Sequence, residues 1–129
     1  RLAKVAMGNS ESPIPEFNRS AAIADLLAAY GYEQSLRHPD DWRSPQQTSA
    51  SFATRVIDAG KWVSLSASDA VSGMGARCAS GCFGDAFDLY AHFEHGGDRK
   101  AALRKLYQER RDERAFAQFG RPLQNQDAI

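Results

Sequence analysis

Ile23, Leu26, Leu27 and Tyr30 recur at intervals of three and four residues, the spacing that lines up apolar side chains on one face of a helix. Asn18 and Ser20 stand before them as N-cap candidates. Gly31 follows and can take the left-handed conformation that ends a helix. The pattern predicts a helix over residues 20–30. Ahead of it, Ser10, Glu11, Ser12, Pro13 and Pro15 disfavour regular structure, so residues 1–17 read as a flexible N-terminal segment. Residues 33–51 are polar and contain Pro39 and Pro45, which suits a loop with short extended pieces.

Phe52 to Ile57 and Lys61 to Ser66 are rich in strand-forming residues, among them Val56, Ile57, Trp62, Val63 and Leu65. Asp58-Ala-Gly60 between them supplies a turn, so a β-hairpin is the economical reading. Residues 67–84 are rich in Ser, Gly and Ala and read as a loop, with a short strand near Ala76–Cys78. Asp85 can cap a second helix whose Phe87, Leu89, Tyr90 and Phe93 are too apolar for a solvent-facing stripe. Gly96-Gly97 ends it. Asp98 caps a third helix through Ala101, Ala102, Leu103, Leu106 and Tyr107. The order helix, hairpin, helix, helix predicts an α+β domain over residues 18–118. Its small antiparallel sheet should carry about three helices on one side. Residues 119–129 read as a disordered tail.

The length of 129 residues fits one domain, and 43% hydrophobic residues suffice for one core. The chain starts at Arg1, as a segment of a larger protein would. Its formal net charge is zero, which speaks against a coat of non-specific nucleic-acid or membrane binding but leaves room for local patches. No apolar run approaches the roughly 18 residues that span a bilayer, and no signal peptide opens the chain. Two cysteines are no secreted disulfide framework. A cytoplasmic location follows by default, with no membrane partner.

Few residues suggest chemistry. Cys78 and Cys82 could bite one zinc ion from a single loop, with His38, His92 and His95 as the available supplements. The competing reading is two small thiols packed in a loop. Asp85 and Asp88 could pair as carboxylates, but capping and dipole complementation explain them better. Residues 99–114 hold seven Lys/Arg against three Asp/Glu, which suits either phosphate contact or a solvated helix face. Arg43, Arg55, Lys61 and Arg77 stand near Trp42, Phe52 and Trp62. Cations beside aromatics are what single-strand binding uses, though such aromatics serve equally well as core. No Walker loop, dinucleotide fingerprint or nucleophile elbow is present, and no residue is assigned a catalytic role.

The stretch Ala76-Arg-Cys-Ala-Ser-Gly-Cys-Phe-Gly-Asp-Ala-Phe-Asp-Leu-Tyr90 resembles the end of the zinc-ribbon-type domain of DNA primases. There a cysteine pair leads through glycines into a helix that opens Asp-hydrophobic-hydrophobic-Asp. Ser49-Ala-Ser-Phe52 resembles that family's Thr-Pro-Ser-Phe. Arg43-Ser-Pro45, Ser66-Ala-Ser-Asp69, Asp85-Ala-Phe-Asp-Leu-Tyr90 and Glu94-His-Gly-Gly-Asp98 resemble a degenerate branch found in primase–helicase proteins of phages and mobile elements. The similarity covers about residues 18–107. It implies a DNA-binding module of a replication or mobile-element protein, set beside other domains of a larger protein. Single-stranded or template DNA would be held on the hairpin, with Arg43, Arg55, Lys61 and Arg77 toward phosphates and Trp62 as a stacking residue. The alternative is a docking domain of the same fold that touches no DNA. The family's first ligand pair falls on Trp42 and Pro45, neither of which binds zinc. The resemblance therefore implies the fold more strongly than the metal, with Cys78 and Cys82 left as the only zinc candidates.

Overall fold

In the computed structural model, which describes residues 11–119, five helices cover one side of a six-stranded sheet. The helices are α1 (Ile14–Ser20), α2 (Ile23–Ala29), α3 (Ala67–Ser72), α4 (Ala86–His95) and α5 (Arg99–Phe119). The strands are β1 (Glu33–Gln34), β2 (Asp41–Arg43), β3 (Thr54–Ile57), β4 (Lys61–Ser64), β5 (Ala76–Cys78) and β6 (Gly81–Gly84). All neighbours are antiparallel, in the order β1-β2-β3-β4-β6-β5. The expected α+β class is what the chain adopts.

The hairpin of β3 and β4 stands where the strand propensities place it. A single 3-10 turn, Asp58–Gly60, joins the two strands, and Asp58 sits there at φ 47°. Aspartate tolerates that left-handed conformation better than most residues. The sheet is larger than a hairpin because the polar stretches contribute short strands. β1 and β2 are the extended pieces of the 33–51 loop, and β5 and β6 build a second hairpin from the Ser/Gly-rich segment.

Three local expectations change. Residues 14–17 belong to a helix, because Pro15 falls in the first turn, where its missing N–H has no intrahelical partner to lose. The helix expected over residues 20–30 is shorter, Ile23–Ala29, and Ser20 instead ends α1. The backbone turns extended at Ala21 and Ala22, and Ala22 caps α2 without a side-chain bond. Asn18 caps a different helix: its side chain accepts from the Phe87 N–H at 2.8 Å and donates to Asp85 at 2.9 Å, fastening α1 to the start of α4. The third change is α3, in a stretch read as loop. Ser66 caps it by accepting from the Asp69 N–H, and Gly73 closes it at φ 87°. The tail read at residues 119–129 lies outside the described residues except for Phe119, the last residue of α5.

Alternation along the strands divides the sheet into two faces. Trp42, Thr54, Ser64 and Cys82 stand in register on the inner face, with Val56, Trp62 and Gly84 as the next row. Trp62 is fully buried and packs in one cluster with Leu27, Trp42, Met74 and Leu89. Its indole N–H donates to the Asp85 carbonyl at 2.9 Å, tying β4 to the N-terminus of α4. Gly75 and Gly84 make room for the ring. A Cβ at either would stand 2.9 or 2.8 Å from the Trp62 benzo carbons. A second cluster joins Phe87, Tyr90 and Ala91 of α4 to Ala102 and Leu106 of α5.

Candidate nucleic-acid interface

Among the described residues no helix covers the outer face of the sheet. One cross-strand row there runs Asp41, Arg55, Val63, Phe83, Ala76, each residue directly opposite the next. Ile57 and Lys61 form the adjacent row. Arg43 lies on the same side, opposite Glu33. Phe83 is 44% exposed, Ile57 41% and Leu65 61%. Strand spacing puts Arg55 and Phe83 about 10 Å apart, with Val63 between them.

Of the five residues singled out from the sequence as nucleic-acid contacts, three share this face: Arg43, Arg55 and Lys61. Arg77 does not. It pairs with Cys82 on the inner side of edge strand β5 and reaches the Ala70 carbonyl at 3.5 Å. Trp62 cannot stack on a base, because its ring is enclosed in the core. The strand period puts Trp62 and its neighbours Lys61 and Val63 on opposite faces, so a single hairpin face never offered both the tryptophan and the lysine. The aromatic on the open face is Phe83, which sequence reasoning passed over. Phe83 stands between Cys82 and Gly84, both buried, and the two-residue period of β6 turns it outward.

The cations of the face differ in readiness. Arg55 grips Asp41 directly across the strands, at 2.6 Å from Nε and 3.1 Å from Nη2. That hydrogen bond holds the Asp41 carboxyl below the usual carboxylate range. Arg43 donates from Nε to the Ser49 carbonyl at 2.8 Å and so holds the loop after β2. Lys61 is exposed at the start of β4.

Cys78 and Cys82 do not make half of a zinc site. Cys78 pairs with Gly81 and Cys82 pairs with Arg77, so the two thiols fall on opposite faces of the β5–β6 hairpin. One sulfur is exposed and the other buried. Burial, with Asp69 nearby, pushes the Cys82 thiol up to about 11. Among the described residues no group of three or more His, Cys, Asp or Glu side chains is arranged to hold a metal ion.

Asp69 does the cross-linking here. Its carboxylate is fully buried. Oδ1 accepts from Ser44 Oγ and Gln46 Nε2, both at 2.7 Å, and Oδ2 accepts from Ser64 Oγ at 2.7 Å. Gln46 passes the link on: its Oε1 lies 2.7 Å from His92 Nε2. Because the Gln46 amide donates to Asp69, its carbonyl must accept, so His92 carries its proton on Nε2. Four segments meet at this knot: the loop after β2, β4, α3 and α4. The two positions where the resemblance would put zinc ligands, Trp42 and Pro45, flank Ser44. Burial lowers the pKa of His92, against the opposing pull of Asp69.

At the start of α4 the two acids act as caps. Asp85 accepts from the Asp88 N–H and Asp88 from the Asp85 N–H, a reciprocal capping box. Asp88 also pairs with Arg99 of α5. Among the described residues no helix is long and apolar enough to cross a membrane. Comparison of the chain with protein-family models, with curated proteins and with solved structures finds no match.

Proposed function

We propose that this chain is a non-catalytic DNA-binding module of a replication or mobile-element protein, of the primase or primase–helicase kind, working in the cytoplasm beside other domains of its parent. It holds single-stranded DNA on the open face of its sheet. Phe83 stacks on a base, and Lys61, Arg55 and Arg43 face the phosphates. The observation that carries this reading is the row Arg55–Val63–Phe83 with Lys61 beside it: an exposed aromatic among cations on a sheet face that no described helix covers. Single-strand binding combines a charged track with a stacking platform in this way, and each stacked base contributes about 1–3 kcal/mol. The primase resemblance supports the same partner.

A second reading, a docking face for another protein or domain, draws on two features of the same surface. Ile57, Leu65 and Phe83 make it apolar, and Asp41 neutralises Arg55 where it stands. Titration of a labelled single-stranded oligonucleotide at low and moderate salt separates the two. The DNA reading expects binding at low salt that weakens as salt rises and falls about tenfold in Phe83→Ala. Absence of binding at low salt, where phosphate contacts are strongest, sides with docking.

A further inference from the structure

One stripe of α5 carries three cations and no acid. Lys100, Arg104, Tyr107 and Arg111 follow one another at intervals of four, three and four residues, which sets them on one stripe of the helix. The stripe points away from the core, since Ala102 and Leu106 bury the other side of α5 against α4. All three cations are exposed, and among the described residues none of them makes an ion pair. The acids of the helix lie elsewhere. Glu109 and Glu113 line a cleft against α1 together with Arg110 and Arg114, and Asp112 accepts from Gln108 at 3.0 Å. A helix face adapted only to water interleaves its charges, and like charges four residues apart, as at Lys100 and Arg104, work against an isolated helix. A stripe of this kind in a chain of zero net charge fits an anionic partner.

We infer that this stripe is a second nucleic-acid contact, a sequence-independent seat for the sugar–phosphate backbone of a duplex. Three features select a duplex. The stripe carries no exposed aromatic for an unpaired base; Tyr107 is half-buried, with the Arg110 guanidinium 5.6 Å from its ring. Lys100 to Arg111 spans about 16 Å of helix, a length along which one strand of a duplex offers a phosphate every ~3.4 Å. The residues are rigidly presented, by a helix anchored through Leu106 and the Arg99–Asp88 pair. An anionic lipid surface fits less well, because a membrane-lying helix needs its apolar side free and that side of α5 is buried against α4. The stripe lies on the helical side of the molecule and the sheet's open face on the other, so either surface can fail without the other.

The test is a titration of the full chain with a labelled random-sequence duplex between about 50 and 200 mM salt. The variant combines Lys100→Gln, Arg104→Gln and Arg111→Gln, with circular dichroism to confirm its helix content. The wild type should bind at low salt. The triple variant should lose about tenfold or more in affinity, and its plot of log affinity against log salt should be shallower by about 3, close to one per lost phosphate contact. Arg104→Lys should keep the binding if the triple variant unfolds. No duplex binding by the wild type at low salt overturns the inference. So does a triple variant with unchanged affinity and slope, or one that keeps the duplex and loses only phosphatidylserine vesicles. Loss of single-strand binding in Phe83→Ala with duplex binding intact bears on the sheet alone.

Discussion

Asp69 shows how much one side chain can hold when both of its carboxylate oxygens accept. It is a buried carboxylate with three strong donors and, among the described residues, no ion pair. Removing it strands Ser44, Ser64 and Gln46 without an acceptor, and each buried orphan costs about 1–3 kcal/mol. Asp69→Ala should therefore destabilise the domain by about 3 kcal/mol or more, measured by urea unfolding. A loss under about 1 kcal/mol would mean that the knot is not a cross-link. His92 adds a pH dependence with a definite sign. Burial lowers its pKa below the ordinary 6.5, so the fold favours the neutral ring. Stability is complete above pH 6.5 and falls as pH drops below it, because the unfolded chain takes up the proton first. Unfolding midpoints of the wild type should fall between pH 7 and 5 more steeply than those of His92→Asn; parallel curves would exclude His92 as the source. The thiols differ as their burial does. Cys78 should react with a disulfide reagent in the native protein, and Cys82 only on unfolding, since its thiol stays protonated up to about 11. Two fast thiols would contradict the assigned strand faces.

At the scale of elements, the sequence disclosed what local chemistry decides. The capping box of Asp85 and Asp88, the Gly96 stop, the β3–β4 hairpin and the strand at Ala76–Cys78 all rest on signals within a few residues. It hid what distant partners decide. Asn18 looked like a cap for the helix beside it and instead caps one 69 residues away in sequence. α3 escaped notice because Ser, Gly and Ala read as loop, although Ser66 and Asp69 carry an N-cap signature. The glycines of that stretch have a reason visible only once Trp62 is in place. Gly84→Ala pushes a methyl group against the Asp88 side chain and the Trp62 indole and should cost about 1–3 kcal/mol, read as a lower thermal midpoint. A neutral substitution would mean that Trp62 packs with more slack than its surroundings indicate.

For the whole molecule, the divided sheet is the feature that bears on function. The helices, the two tryptophans and the Asp69 knot stand on one side, and the other carries Arg43, Arg55, Lys61, Ile57, Val63 and Phe83. Three of the cations were legible as a group from sequence. Their aromatic partner was not, because assigning Phe83 to the open face requires the register of β6 against β4. The most direct measurement is a two-dimensional amide NMR titration of the chain with a single-stranded oligonucleotide at low salt. Binding by the sheet predicts shifts concentrated at Arg55, Lys61, Val63 and Phe83, with the α4 core unmoved. Saturating DNA that leaves those amides in place, or that moves only α5, would contradict it.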